Sequence, residues 1–253
     1  MKIKKYLKKV LCLSLVAIIA LFAVGCGSNS SKDKNDGGNS SSTEQSEKSI
    51  TAIKNEEMDI SEFDFYTNSD GKTCSILRSD EKLKHEIMKI PDKYNDYTVV
   101  EIESEGFKLV EKFTKLIIPD TVKRIGSRAF PFCPDLETVE MGNGVEELGT
   151  NAFLGCKKLK TVTLSNKLTK IPMGAFQQCA IETITIPSSV QSIEENAFAL
   201  CENLKEVHIT ESVKKIANTN GPFERCPNVT IYAPKGSYAE KYAKQENIKF
   251  VAE

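Results

Sequence analysis

The sequence has few of the residues that carry enzyme chemistry. His85 and His208 are its only histidines. No cluster of histidine and cysteine has the spacing of a zinc site, and no glycine-rich phosphate loop is present. A Cys–His nucleophile would need a cysteine outside the core beside one of the two histidines. We therefore expect a protein that is not an enzyme and has no cofactor or metal.

The chain also lacks an excess of basic side chains once the N-terminus is set aside. The formal net charge is −1, but five lysines and no acidic side chain lie in residues 1–25. Removing that segment leaves 29 basic and 35 acidic side chains, so the remaining chain is near −6. No basic stripe stands out. A surface of that sign repels phosphate backbones, so we expect no nucleic-acid partner.

A single long apolar run, Val10–Val24, follows lysines near the N-terminus. Its 15 residues suit the core of a signal peptide and are short for a membrane span. The run ends in Ala23-Val24-Gly25-Cys26, which resembles the lipobox of bacterial lipoproteins, although Ala23 stands where the usual pattern has Leu. The resemblance implies a signal peptide over residues 1–25, a lipid on Cys26 and attachment to a membrane. The alternative is an ordinary secretory signal with an incidental cysteine.

The next segment lacks apolar side chains. Residues 27–49 contain eight Ser, three Gly and no aliphatic or aromatic residue. Such a stretch cannot bury enough apolar surface to offset chain entropy. We predict a disordered tether over residues 26–58, of which these 23 residues span roughly 25–30 Å.

The rest of the chain is organised around a 23-residue repeat, clearest from Ile186 to Ile209. Its skeleton is I-P-x-x-V-x-x-I-x-x-x-A-F-x-x-C-x-x-L-x-x-V-x-I. Successive units start at positions 118, 141, 164, 186 and 209, giving steps of 23, 23, 22 and 23. Self-similarity at this period predicts a solenoid, in which each coil buries its apolar side against its neighbours.

This skeleton resembles the BspA-type leucine-rich repeats of bacterial surface proteins. The resemblance implies an α/β-type solenoid of parallel-strand coils, 22–23 residues each, with repeats over residues 90–231. In the irregular first repeat we expect Val100 and Ile102 among the apolar positions. Members of the family are associated with adhesion and with contact to host or matrix proteins.

Both ends of the solenoid should be capped, because a terminal coil otherwise exposes apolar surface. We predict an N-terminal cap over residues 59–89 with a β-hairpin turning at Asp70-Gly71. A C-terminal cap over residues 232–253 should contain a helix and a closing strand at Ile248–Phe250. Ser237 and Glu240 form a capping box at the start of that helix.

Five of the eight cysteines occupy one repeat position, and Val110 stands there in an earlier coil. A position that accepts Val or Cys behaves as a small buried hydrophobe. We therefore expect free buried thiols. A disulfide framework is the alternative, because stacked coils bring neighbouring backbones to about 5 Å. The five residues are Cys133, Cys156, Cys179, Cys201 and Cys226.

The short strand of each coil should point Val and Ile inward and the alternating residues outward on a concave sheet. Parallel stacking would place these outward residues in two straight rows spaced about 4.8 Å apart. The rows are rich in hydroxyl groups, with charge at both ends. One interpretation is a shallow binding face, and the other is that Thr simply suits exposed strand positions. The candidate residues are Lys115, Ile117, Thr138, Glu140, Thr161, Thr163, Thr183, Thr185, Glu206 and His208.

The leading expectation is a lipid-anchored, extracytoplasmic repeat protein of the bacterial cell surface that presents this face to protein or glycan partners. That role rests on the family resemblance. The alternative is a structural or accessory envelope protein that interacts with components of its own cell.

Overall fold

The computed structural model describes residues 60–78 and 85–253. The predicted signal peptide, Cys26 and the predicted tether lie outside the described residues. Within the described part, a short 3₁₀ helix (Ile60–Glu62) comes first. The strands and the α-helix that follow are, in chain order, β1 (Phe63–Thr67), β2 (Thr73–Arg78), β3 (Ile87–Lys89), β4 (Lys93–Tyr94), β5 (Tyr97–Ile102), β6 (Lys115–Ile118), β7 (Arg124–Ile125), β8 (Thr138–Met141), β9 (Glu147–Leu148), β10 (Thr161–Thr163), β11 (Lys170–Ile171), β12 (Thr183–Ile186), β13 (Ser192–Ile193), β14 (Glu206–Ile209), β15 (Lys215–Ile216), β16 (Thr230–Ala233), α1 (Tyr238–Gln245) and β17 (Lys249–Ala252).

The described residues form a parallel-strand solenoid of about 8 turns with one α-helix near the C-terminus, which confirms the predicted fold. Equivalent residues of successive coils pair in register, as Leu116 does with Val139 and Val139 with Val162. The alternation of the repeat explains this stacking. Val and Leu at alternate positions of each strand are buried, and the residues between them face outward.

Each coil also has a second, two-residue strand that the sequence analysis did not predict. β7 pairs with β9, and β13 pairs with both β11 and β15. These strands fall at the end of the V-x-x-I stretch, where Ile125, Leu148, Ile171, Ile193 and Ile216 are buried. The coil therefore has two strand ladders, and turns connect them.

Both ladders are interrupted at the same coil. The first runs β3-β6-β8-β10 and resumes as β12-β14-β16-β17, while the second stops at β9 and resumes at β11. The 22-residue unit has Cys179-Ala180-Ile181 where other units have two residues between Cys and the next apolar position. The missing residue falls just before β12. The strand pairing that underlies the predicted rows is therefore interrupted between β10 and β12, although the turns remain hydrogen bonded through Phe153 N to Ala175 O at 2.9 Å.

A column of phenylalanine rings runs through the core. Neighbouring rings from Phe107 to Phe223 stack with centroids 4.9–5.8 Å apart. At the two ends the geometry changes: Phe63 meets Phe107 edge to face at 6.1 Å, and Tyr242 meets Phe223 in the same way at 6.2 Å. Offset stacking and edge-to-face contacts are the favoured arrangements of aromatic pairs. One ring from each terminal segment therefore closes the column.

The repeat cysteines are free and buried, which confirms the prediction. They are also more than small hydrophobes, because each thiol donates to a phenylalanine carbonyl of the preceding coil. Cys156 Sγ, for example, lies 3.1 Å from Phe130 O. The other four make equivalent bonds of 3.2–3.3 Å. A weak S–H donor at this position satisfies a buried carbonyl that Val would leave without this partner.

The terminal segments form the predicted elements. β1 and β2 pair antiparallel, and Gly71 has φ 67° in their turn, where Asp70 Oδ1 accepts from Lys72 N and Thr73 N. Ser237 Oγ accepts from Glu240 N at 3.2 Å at the start of α1. In the predicted capping box, Glu240 would accept from Ser237 N. Its Oε2 accepts instead from Gly236 N, the backbone donor one residue earlier. That these segments act as caps stays a prediction.

The irregular first coil contains one correction. Val99 is fully buried, whereas Val100 is only half-buried, so the core position expected at Val100 belongs to Val99. The extra residues before it form β4, which pairs antiparallel with β5.

Two positions of each coil have positive φ. The first lies two residues before the core phenylalanine and is held by Arg128, Asn151, Gly174 and Asn196 in successive coils. The second directly precedes the cysteine column and is held by Leu109, Phe132, Gly155, Gln178, Leu200 and Arg225. Asn and Gly favour left-handed backbone, so their recurrence before Ala was a sequence signal for the first position. Leu and Phe gave no such signal for the second.

Candidate functional site

The ten candidate residues all lie on the outward side of the first ladder. None of them is buried, while the inward residues between them, such as Leu116, Val139 and Val207, are fully buried. The outward phase predicted from the repeat is therefore correct. Whether these residues bind a ligand stays a prediction.

At the N-terminal end of this surface the charges neutralise each other. Lys115 Nζ lies 2.7 Å from Glu140 Oε1, on the neighbouring strand. Ile117 is paired with Glu140 in the ladder and is half-buried. This end therefore carries charge, as expected, but its Lys and Glu are paired with each other.

The centre is a hydroxyl surface. Thr161, Thr163, Thr183 and Thr185 are exposed, and together with the half-buried Thr138 they form what we call the threonine face. The interruption between β10 and β12 divides the threonine face. Val162 of β10 is only half-buried, although its equivalents Val139 and Ile184 are buried. The threonine face therefore has two halves with an apolar side chain partly accessible between them.

The C-terminal end holds an aromatic and acidic cluster around His208. The His208 ring stacks on Tyr232 with centroids 4.8 Å apart and an interplanar angle of 19°. His208 Nδ1 lies 3.1 Å from Glu253 Oε2, and its Nε2 lies 3.9 Å from Glu206 Oε2. The candidate rows omitted Tyr232 and Glu253. Thr230-Ile231-Tyr232-Ala233 repeats the strand pattern, so extending the rows by one coil would have included Tyr232. No feature of the sequence indicated Glu253.

A shallow cleft of about 340 Å³ opens beside this cluster. Thr185 connects it to the threonine face, and His208 and Glu253 form part of its wall. Threonine hydroxyls, carboxylates and a stacked ring provide donors, acceptors and an apolar plane within one surface. The remaining lining comes from Ile209, Thr210, Glu211 and Pro234.

The chemistry of the cysteines does not support a nucleophile. Burial raises the pKa of Cys201 to about 12 and that of Cys226 to about 11, which suppresses the reactive thiolate. His208 faces outward, where it contacts the carboxylates of Glu206 and Glu253 and the ring of Tyr232. The other histidine, His85, lies 3.2 Å from the buried Glu62 in the N-terminal segment. Within residues 60–78 and 85–253, no group of three or more His, Cys, Asp or Glu side chains is placed to hold a metal ion.

A family model described as a BspA type leucine rich repeat region matches residues 100–230 in six copies. The chain belongs to the BspA-type leucine-rich-repeat family. Members of this repeat family are typically non-enzymatic binding scaffolds, and membership indicates a protein-binding repeat scaffold here. A comparison with curated proteins finds no match.

Solved structures of bacterial leucine-rich-repeat proteins share the fold. A Treponema pallidum leucine-rich-repeat protein has a TM-score of 0.64 and 26% identity, covering 68% of this chain and 79% of that one. One from Bacteroides ovatus has a TM-score of 0.59 and 30% identity, with coverages of 70% and 47%. A leucine-rich cell surface protein from Faecalibacterium prausnitzii has a TM-score of 0.50 and 25% identity, with coverages of 72% and 40%. The chain thus spans less than half the length of the last two.

Proposed function

We propose that this BspA-type protein is a lipid-anchored, extracytoplasmic binding protein that presents the threonine face and the adjoining cleft to a protein or glycan partner. The observation that carries the proposal is the continuity of exposed Thr side chains with the cluster of His208, Tyr232 and Glu253. The similar protein from F. prausnitzii is described as a cell surface protein, which supports an extracytoplasmic location. Among the residues that the structure describes, no helix is long and apolar enough to cross a membrane.

The chemistry of the surface suits polar partners. Threonine hydroxyls donate and accept hydrogen bonds, and carboxylates accept from hydroxyl, amide or cationic donors. The His208–Tyr232 pair adds a flat ring surface, of the kind that is enriched at binding interfaces. In this role the protein would contribute to adhesion or to contact with host or matrix proteins.

A second candidate is an accessory role within the envelope of the same cell. The lipobox-like Ala23-Val24-Gly25-Cys26 favours it equally, because a lipid anchor places the solenoid beside other envelope components. The same surface would then bind a partner from that envelope.

A capture experiment separates the two. The chain from residue 26 with Cys26→Ser serves as bait against host proteins and glycans and, separately, against solubilised envelope of the producing cell. Saturable capture of foreign proteins or glycans supports adhesion, and capture of envelope components alone supports the accessory role. The matched control carries Thr163→Lys and Thr185→Lys. Capture that is equal with bait and control excludes the threonine face as the binding site.

A further inference from the structure

Two large apolar side chains form an exposed patch on the turns of consecutive coils. Leu109 is 57% exposed and Phe132 is 41% exposed. Leu109 N donates to Pro131 O at 3.0 Å, so the two residues lie side by side on neighbouring coils. The Phe132 ring covers Gly155 of the next coil, where an added Cβ would come within 2.4 Å of Phe132 Cδ1. We call Leu109 and Phe132 the loop patch.

The backbone at this position of the coil disfavours bulky side chains. Leu109 has φ 57° and Phe132 has φ 56°, in the left-handed region that disfavours bulky residues. Gly155 occupies the same position with φ 72°, and its lack of a Cβ also leaves room for the Phe132 ring. Glycine or asparagine would suit the backbone better, and the packing of the Phe132 ring on Gly155 covers only part of that side chain. Apolar side chains retained at a strained, exposed position indicate a contact outside the chain.

The charges around the loop patch are mostly basic, although acidic side chains outnumber basic ones in the chain as a whole. Asp135 and Lys158 neutralise each other, because Asp135 Oδ1 accepts from Lys158 Nζ at 2.9 Å, which leaves Lys108, Lys112 and Lys157 against Glu111. The same turns farther along the solenoid carry Glu202 and Glu224 instead. Apolar side chains between lysines are the composition that inserts at the interface of an anionic bilayer. The charged residues that the sequence places on these turns are Lys108, Glu111, Lys112, Asp135, Lys157 and Lys158.

The loop patch lies at the end of the solenoid where the chain enters it. Leu109 follows Phe107 by two residues, and the Phe107 ring contacts Phe63, close to the start of the described structure at Ile60. The tether predicted over residues 26–58 directly precedes that point. The predicted tether therefore connects Cys26 to the end of the solenoid that carries the loop patch.

We propose that the loop patch is a membrane-contact site, at which Leu109 and Phe132 enter the interface of the anionic bilayer of the producing cell and the flanking lysines bind its headgroups. The proposal rests on the lipid-anchored location given under the proposed function. The patch lies on turns, whereas the threonine face lies on strands, so membrane and partner can be bound together. The anchor then sets the distance to the membrane and the loop patch sets the orientation.

The test uses the chain from residue 26 with Cys26→Ser, so that no lipid contributes to binding. Co-flotation is measured with vesicles of equal phosphatidylcholine and phosphatidylglycerol, and with vesicles of phosphatidylcholine alone. Binding is expected with the anionic vesicles and should weaken as salt is raised, because the lysine contribution is screened. The double variant Leu109→Asn, Phe132→Asn should bind about tenfold more weakly. Asn suits positive φ, so this variant should melt no lower than its parent.

Two matched controls separate the patch from general apolarity and charge. Met173 is 42% exposed on another part of the surface, and Met173→Asn should leave vesicle binding unchanged. Lys214→Gln with Lys215→Gln should also have no effect, whereas Lys108→Gln with Lys157→Gln should weaken binding.

Three results would overturn the proposal. They are absence of binding to the anionic vesicles, equal binding by the double Asn variant, and a dimer that the double Asn variant dissociates without any vesicle binding. The last would assign the patch to a second copy of the chain. Because the test protein carries no lipid, none of these results bears on whether Cys26 is lipidated or on the threonine face.

Discussion

Tyr242 of α1 meets Phe223 edge to face, with ring centroids 6.2 Å apart and an interplanar angle of 65°. Phe223 is the last ring of the phenylalanine column, and Tyr242 is buried against it. The C-terminal helix therefore packs on the core where the repeat ends, through this aromatic contact and the buried Ala239 and Ala243.

This contact predicts that Tyr242→Ala destabilises the whole solenoid. Removing a buried ring leaves a cavity at the end of the column, and the free energy of unfolding should fall by about 3 kcal/mol. Tyr242→Phe retains the ring and should change it by less than about 1 kcal/mol. Urea unfolding followed by circular dichroism measures both. If Tyr242→Ala unfolds like the parent protein, the helix does not cap the core.

The column also predicts a large contrast between an inward and an outward residue. Phe153 is fully buried and stacks on Phe130 at 5.3 Å and on Phe176 at 5.5 Å. Phe153→Ala should lower the free energy of unfolding by about 3–5 kcal/mol. Thr163→Ala, on the exposed threonine face, should lower it by less than about 1 kcal/mol. Equal losses in the same urea titration would show that the assignment of inward and outward positions is shifted.

The repeat cysteines predict a loss of stability in alkali. Burial raises the pKa of Cys201 from 9.0 to about 12 in the folded protein. Below pH 9 this thiol is neutral in both states and has no effect. Above pH 9 it ionises in the unfolded chain but not in the folded one. The free energy of unfolding therefore falls by up to about 1.4 kcal/mol per pH unit. The free energy of unfolding should fall from pH 9 to 11, and less steeply in Cys201→Val. Parallel pH profiles for the two proteins would contradict this account.

The periodic parts of the fold were predictable from sequence, and the irregular parts were not. Phe153 and Cys156 recur every 22–23 residues, so their burial follows from the repeat alone. The interruption at β12 depends on one missing residue near Ala180, whose effect on pairing has no sequence signature. The burial of Val99 instead of Val100 was unpredictable for a similar reason, because the insertion before β5 obscures the phase of the repeat. The positive φ of Asn151 and Asn196 was predictable, because Asn favours left-handed backbone. The positive φ of Leu109 and Phe132 was not, because Leu and Phe disfavour it.

For the candidate surface, the sequence predicts which side chains face outward but not which contacts they make. Alternation in Thr161-Val162-Thr163 identifies which side chains face outward. The ion pair of Lys115 with Glu140 requires knowing that their strands pair in register. The contact of His208 with Glu253 joins residues 45 positions apart, and only the docking of β17 on β16 brings them together.

Lipidation of Cys26 is a separate prediction from sequence. The Cys26→Ser variant should be released from the membrane fraction or remain as an uncleaved precursor, because the thiol that would carry the lipid is gone. Fractionation of cells and the mobility of the protein on gels detect both outcomes. A Ser variant that is processed and retained like the parent protein would mean that Cys26 is not the anchor.

The central claim, that the threonine face binds the partner, is tested most directly by equilibrium binding of the captured partner to two double variants. Thr163→Lys with Thr185→Lys places two long charged side chains on the face, and the control Thr169→Lys with Gln191→Lys makes the same type of change at exposed positions outside it. We predict that the dissociation constant rises at least about tenfold for the first variant and stays within about twofold for the control. Equal affinities for the two variants would contradict the claim and assign binding to another surface.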